Sequence, residues 1–106
     1  MQLSKKQLFA PPEDFATLEK AHFVVAAVPI EASVSYGSGA SKGPEAILEA
    51  SQQVELFDVE EVNEPYKAGI ATLEFPAVFN HTKEALAYAQ EITKSILNSQ
   101  KIPIIL

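Results

Sequence analysis

The sequence predicts a three-layer α/β fold, a parallel sheet with flanking helices, in the order β-α-β-α-β. Residues 22–28 form an unbroken apolar run of strand length, which is typical of a parallel strand buried on both faces. Apolar residues then recur at helical spacing over residues 82–99, and another apolar run occupies residues 101–106. Strands that alternate with helices favour right-handed crossovers and a parallel sheet.

The first strand is predicted over residues 22–28 and leads into a loop of small residues. Pro29 ends the strand because its nitrogen has no hydrogen to donate to a ladder. The following residues, 31–43, are rich in glycine, serine and alanine, and they predict a loop.

The first helix is predicted over residues 44–53. Pro44 suits the first helical position, where the missing N–H would have no partner in any case. The spacing of the apolar residues predicts that Ile47, Leu48 and Val54 face the sheet.

The second strand is predicted in the middle of the chain, after an acidic segment. Residues 54–64 are acidic with partial apolar alternation, which indicates a short edge strand or an extended linker. A turn at residues 63–65 then separates this segment from a second strand over residues 67–74, centred on residues 69–73.

The second helix, over residues 82–99, has the clearest periodicity in the sequence. Its predicted inward face consists of Ala85, Leu86, Ala89, Ile92, Ile96 and Leu97. The third strand is predicted over residues 101–106, where Pro103 is acceptable because it lies near the start of the strand.

Residues 1–21 are interpreted as an N-terminal arm ahead of the α/β domain. Pro12 to Lys20 could form a short helix with Phe15 and Leu18 facing inward. A loosely docked tail is an equally good interpretation of the same residues.

Composition excludes several classes of function. With 106 residues, 47% of them hydrophobic, the chain is at most one small domain with enough apolar material for a core. A formal net charge of −6 argues against nucleic-acid and anionic-membrane partners, since phosphate contacts need a cationic surface. There is no cysteine, which excludes disulfides and thiol catalysis. We find no signal sequence or spanning segment, so a cytoplasmic location is expected.

Two stretches of the sequence resemble the arginase/agmatinase (ureohydrolase) family. Val28-Pro29-Ile30, the glycine-containing loop and Gly43-Pro44-x-Ala46-Ile47 are similar to the strand end, loop and first helix of that family. Lys101-Ile-Pro-Ile-Ile-Leu106 resembles the strand that leads into its Gly-Gly-Asp/Glu-His metal motif. The resemblance implies that residues 22–106 are the N-terminal part of a single ureohydrolase-like domain, ending before the metal motifs.

The resemblance also implies an activity and a topology. The parent enzyme would hydrolyse a guanidino compound, such as agmatine to putrescine and urea, using a hydroxide bridging two manganese ions. The first strand would lie between the second and the third. The 106 residues alone are expected to be inactive and to bind no cofactor, with manganese belonging to the parent enzyme. A homo-oligomer is expected through the exposed sheet face or the unpaired outer edge of the third strand.

The candidate site is the loop over residues 29–43, because ligands of parallel α/β sheets gather at the carboxyl ends of the strands. By resemblance this loop lines the mouth of the active site. The candidate substrate-rim residues are Glu31, Ser33, Tyr36, Ser38, Gly39, Ser41, Lys42 and Gly43. The loop fits neither nucleotide motif: a dinucleotide fingerprint that starts at Gly37 needs a glycine at Lys42, and a P-loop needs lysine followed by serine or threonine.

The inventory of possible ligands predicts no catalytic residue and no metal site in this chain. His22, His81, Asp14 and Asp58 are scattered along the sequence and are not expected to converge at one strand end. A structural role is favoured for His22, an exposed or capping role for His81, and solvation for the two aspartates.

Two alternatives to the ureohydrolase interpretation are open at this point. The chain could be a stand-alone, non-enzymatic α/β module that binds a small ligand or a partner through the loop. It could also be a Rossmann-like nucleotide binder, although the fingerprint above argues against it.

Overall fold

The computed structural model describes residues 1–31, 39–54, 56 and 64–106. Its regular elements are β1 (Phe23–Ala26), α1 (Gly43–Ser51), β2 (Ile70–Thr72), α2 (Thr82–Asn98) and β3 (Ile102–Ile105). Short 3₁₀ turns occupy Glu13–Phe15, Ala40–Lys42 and Pro65–Ala68. The predicted β-α-β-α-β order is confirmed, while the predicted edge strand over residues 54–64 lies largely outside the described residues.

The three strands form a parallel sheet in the order β2-β1-β3. In register, Val25 of the central strand lies between Thr72 of β2 and Ile104 of β3. The expectation that the first strand lies between the second and the third is therefore confirmed. Each helix returns the chain to the amino end of the sheet, which is why the three strands run in the same direction.

A separate hydrophobic cluster covers each face of the sheet, so the three-layer α/β prediction is confirmed. On one face, Val24 and Ala71 pack with Ile96 of α2. On the other face, Val25 packs with Leu48 of α1 and with Leu8 of the N-terminal arm. Successive strand residues point to opposite faces, which is why the neighbours Val24 and Val25 belong to different clusters.

Fewer residues of α1 face the sheet than the spacing of its apolar residues predicted. Pro44, Leu48 and Ser51 are buried, but Ile47 and Val54 are about half exposed, so the prediction was wrong for these two residues. The helix ends at Ser51, which leaves Val54 beyond its last turn. Ile47 is rotated by about 100° from Leu48 around the helix axis and therefore misses the sheet.

On α2, too, fewer residues face the sheet than the spacing of the apolar residues predicted. Ala85 and Ile96 are buried and Ile92 packs against their cluster, as predicted. Leu86 and Leu97, however, are more than half exposed. Each follows a buried residue by one position, and a step of about 100° turns it away from the sheet.

The N-terminal arm is packed against the domain. Leu3 forms an antiparallel bridge with Leu73, and Lys6 forms an ion pair with Glu49 of α1. The predicted helix over residues 12–20 was wrong, because a single 3₁₀ turn stands there. Ala16 is buried and Leu18 packs against the core. On an α-helix, residues two apart point in nearly opposite directions, so a helix could not turn both side chains toward the core.

Phe15 of the arm faces inward as predicted. Its ring makes an edge-to-face contact with Tyr66, with centroids 5.3 Å apart. This contact joins the arm to the 3₁₀ turn that precedes β2. The arm is thus connected to β2 at both ends of its path, near Leu73 and near Tyr66.

Candidate functional site

The segments that follow β1 and β2 meet at the carboxyl edge of the sheet. Ile30 and Phe79 form a parallel bridge, in which the Phe79 backbone N–H donates to the Pro29 carbonyl (2.8 Å) and the Glu31 N–H donates to the Phe79 carbonyl (3.1 Å). Beside them, the Val28 N–H donates to the Leu106 carbonyl at the end of β3 (2.8 Å). The loop predicted as the candidate site therefore begins at this edge.

Phe79 and Tyr88 belong to the same edge, and the sequence analysis did not select either of them. Their ring centroids are 5.2 Å apart, which ties the segment after β2 to α2. Burial raises the pKa of the Tyr88 hydroxyl, with a smaller contribution from the negative charge of Glu91. Tyr88 lies within the predicted second helix and Phe79 precedes it, but only the tertiary contacts connect them to the bridge at Ile30, where the loop begins.

Glu31 closes the candidate loop upon itself. One carboxylate oxygen, Oε1, accepts hydrogen bonds from the Gly39 backbone N–H (2.9 Å), the Ser41 backbone N–H (3.1 Å) and the Ser41 hydroxyl (2.7 Å). These bonds join the residue that follows the bridge at Ile30 to the 3₁₀ turn that leads into α1. A glycine suits position 39, where φ is +122°.

The hydrogen bonds lower the pKa of the Glu31 carboxyl below its ordinary value of about 4.5. The Ser41 hydroxyl makes the largest contribution, followed by the two backbone N–H donors, and the positive charge of Lys42 adds to them. Each of these groups stabilises the carboxylate over the neutral acid. Glu31 is consequently ionised at neutral pH and serves to hold the loop.

Glu31→Gln should reduce stability and flatten its dependence on acidic pH. Because the folded-state pKa is depressed, the stabilisation is fully present above the unfolded pKa and is lost as the pH falls through the folded pKa. The measurement is the thermal midpoint of both proteins between pH 3 and pH 7, where the two midpoints should converge at the acidic end. Glu19→Gln, which alters an exposed glutamate outside the loop, is the matched control. A constant difference at every pH would contradict the role of the charge.

The predicted rim residues have different positions in the structure. Glu31, Gly39 and Ser41 are brought together by the hydrogen bonds above. Lys42 is exposed at the end of the 3₁₀ turn, and Gly43 is the first residue of α1. Ser33, Tyr36 and Ser38 lie outside the described residues, and whether any of these eight residues contacts a substrate stays a prediction.

The residues in the described part of the chain do not fit a binuclear metal site. No group of three or more histidine, cysteine, aspartate or glutamate side chains is placed there to hold an ion. His22 is exposed at the amino end of β1, where its ring packs against Phe23, and His81 is exposed at the residue before α2. Asp14 is exposed in the first 3₁₀ turn, and Asp58 lies outside the described residues. Within the same ranges, no helix has the length and apolar character needed to cross a membrane.

The parallel sheet and the loops at its carboxyl edge define an α/β protein of the class that binds ligands beyond its strand ends. The model of the Arginase family matches residues 21–106. The chain belongs to that family, as the resemblance of its loop and helix start predicted.

The chain is similar to curated and solved ureohydrolases over part of their length. It is 44% identical over 52 residues to the N(1)-aminopropylagmatine ureohydrolase of Synechocystis sp., covering 49% of this chain and 17% of that protein. It is 44% identical over 62 residues to the Thermus thermophilus enzyme of the same name, covering 58% and 21%. The crystal structure of agmatine ureohydrolase of Thermoplasma volcanium matches the fold with a TM-score of 0.82 at 20% identity, over 96% of this chain and 34% of that one. The chain thus spans about a fifth of these curated relatives.

Proposed function

We propose that the chain forms the first β-α-β-α-β portion of a ureohydrolase that releases urea from a guanidino compound. The match of the Arginase family to residues 21–106 is the observation that carries the proposal. Agmatine, which would give putrescine and urea, and its N(1)-aminopropyl derivative are the substrates that the names of the relatives suggest. The reaction adds water at the guanidino carbon and breaks its bond to the alkyl nitrogen.

The charge of the chain supports a cationic substrate. Agmatine and its derivatives carry a guanidinium and one or more ammonium groups, and the chain has a formal net charge of −6. A surface of one sign raises the local concentration of a substrate of the opposite sign. The same charge disfavours phosphate-containing ligands such as nucleotides, which leaves the nucleotide-binding alternative without support.

We assign the chain the role of scaffold and loop, and the family's manganese pair to residues outside it. Within the described residues the candidate ligands His22, His81 and Asp14 lie in separate parts of the chain, before β1, before α2 and in the first 3₁₀ turn, and do not form a cluster. Glu31, an acidic group at the carboxyl edge, already accepts three hydrogen bonds from the loop. The chain therefore contributes the position of the loop relative to the strand ends.

The test compares the 106-residue chain with the polypeptide encoded by the complete reading frame around it. With added Mn²⁺, the 106 residues should release no urea from agmatine, N(1)-aminopropylagmatine or arginine. A longer polypeptide that continues into a Gly-Gly-Asp/Glu-His motif should release urea from at least one of the first two, and the Thermus thermophilus relative serves as positive control. Manganese-dependent turnover by the 106 residues would contradict the assignment of the ligands. A stop codon directly after Leu106 would favour the non-enzymatic module.

Association between copies is a separate proposal. Ile102 and Ile105 of β3 are exposed, as are Leu86 and Leu97 of α2. These residues leave exposed apolar surface on β3 and α2, and we predicted self-association through an exposed sheet face or through the outer edge of β3. Light scattering of the chain over a range of concentrations would test this prediction.

A further inference from the structure

The outer edge of β2 presents the backbone of Thr72. In a parallel ladder, successive residues direct their N–H and carbonyl groups to alternate sides of the strand. The Leu73 N–H donates to the Val25 carbonyl of β1 (2.8 Å), so the backbone groups of the preceding residue, Thr72, point away from β1. An unpaired edge of this kind is a template for pairing with another strand.

The two outer strands are protected in different ways. β3 contains Pro103, and because the N–H groups of Ile102 and Leu106 pair with β1, the nitrogen of Pro103 faces outward and offers no donor. Nothing in the sequence of β2 prevents pairing at its outer edge, because Ile70, Ala71 and Thr72 are uncharged and none is proline. Protection of the β2 edge therefore has to come from another part of the chain.

The N-terminal arm supplies this protection, chiefly through Gln7. The Thr72 N–H donates to Gln7 Oε1 (2.7 Å), and the Thr72 carbonyl accepts from Gln7 Nε2 (3.0 Å) and from the Ser4 N–H (2.8 Å). The amide of Gln7 thus offers the acceptor and the donor that a residue of a neighbouring strand would offer. The Leu8 N–H completes the set by donating to Thr72 Oγ1 (2.9 Å).

The arm joins the rest of the chain through a strained turn. Phe9 and Ala10 have φ angles of 67° and 43°, in the left-handed region that residues with a Cβ seldom adopt. The Phe9 N–H donates to the Ser51 hydroxyl at the end of α1 (3.0 Å), and the Gln7 carbonyl accepts from Gln52 (2.8 Å). These contacts, together with the buried side chain of Leu8, hold the turn in place despite its strain.

We infer that residues 2–7 are a releasable cover on the β2 edge, while Leu8 stays in the core with Val25 and Leu48, and that the edge pairs with β2 of a second copy of this chain when the cover is released. The arm itself meets this edge in antiparallel orientation, at the bridge between Leu3 and Leu73. A two-fold axis perpendicular to the strand also makes its two copies antiparallel. Since β2 carries no charged side chain, two such strands meet without like-charge repulsion.

The test is Gln7→Glu, which keeps the shape of the side chain and its acceptor for the Thr72 N–H but removes the donor to the Thr72 and Ser4 carbonyls. Amide exchange at Thr72 should accelerate by about tenfold, while Val25 in the central strand stays protected. The mass measured by light scattering should rise with concentration toward twice that of the wild type. Gln2→Glu is the matched control, because it changes the charge equally on an exposed arm residue that uses its backbone carbonyl to hold Glu74.

A synthetic peptide of residues 1–7 added to the Gln7→Glu protein should restore the wild-type mass and the protection of Thr72. Three results would overturn the inference. One is faster exchange at Thr72 without a change of mass, and another is an equal change of mass in Gln2→Glu. The third is equal loss of protection at Thr72 and Val25, since a releasable cover leaves the rest of the sheet folded.

Discussion

Gly69→Ala should lower the free energy of unfolding by about 3 kcal/mol or more, the largest effect we expect from a single methyl group in this chain. Gly69 connects the 3₁₀ turn at Pro65–Ala68 to β2 and has a φ of +90°, which is strained for any residue with a side chain. An added Cβ would lie 2.4 Å from the Lys20 carbonyl oxygen and 2.9 Å from the Ala21 Cα. Both atoms belong to the backbone, so a change of rotamer cannot relieve the contact.

The close approach at Gly69 has a structural purpose. Its carbonyl accepts hydrogen bonds from the His22 N–H (2.9 Å) and the Phe23 N–H (3.1 Å), at the start of the central strand. A side chain at position 69 would force the two segments apart and disturb the first pair of the ladder, Phe23 with Ile70. We therefore expect the loss of stability to include the register between β1 and β2.

Two other glycines provide a graded control for this prediction. Gly39 has a φ of +122° but no atom near an added Cβ, so Gly39→Ala should cost about 1–2 kcal/mol through strain alone. Gly43 is the first residue of α1 and also has open space, so Gly43→Ala should be neutral or slightly stabilising. The measurement is chemical denaturation of the three variants. Equal losses for Gly69→Ala and Gly39→Ala would contradict a role for the backbone contact.

Ile96→Ala should destabilise the protein by about 2–5 kcal/mol. Ile96 is 0% exposed and is the largest fully buried side chain of the cluster between α2 and the sheet, where Val24 and Ala71 are also fully buried. Its removal leaves a cavity that these short side chains are too small to fill. The lost contacts and the cavity both contribute to the decrease in stability.

The adjacent residue provides the control. Leu97 is 56% exposed, so Leu97→Ala should change stability by no more than about 0.5 kcal/mol. The two substitutions remove similar side chains from consecutive positions of one helix, and thermal or denaturant unfolding can compare them directly. A loss of more than 2 kcal/mol for Leu97→Ala would show that the packing of α2 differs from the one described.

The regular elements could be predicted because each is encoded locally. The apolar run around Val24, the helical period around Ile92 and the proline at position 44 all act within a few residues, and their elements stand where they were predicted. The faces of the helices could be predicted only in part. Ile47 and Leu86 have the same hydrophobicity as their buried neighbours, and their exposure depends on the angle at which each helix meets the sheet.

The candidate site, like the faces of the helices, could be predicted from the sequence only in part. The position of the loop followed from the rule that ligands bind at the carboxyl ends of parallel strands. That Glu31 is engaged by Gly39 and Ser41, and that Phe79 and Tyr88 lie beside the start of the loop, could not be read from spacing. These pairs are separated in the chain, and no periodicity relates their members.

By itself the sequence determined the fold class, the order of the strands and helices, and the family resemblance, since these rest on patterns within short segments. Only the tertiary structure decided that the arm covers the edge of β2, that Gln7 pairs with Thr72, and that Gly69 must lack a side chain beside Lys20. Each of these features joins residues about 50 or more positions apart in the chain. Such contacts depend on how the packed elements meet, and the local chemistry of either partner does not specify the other.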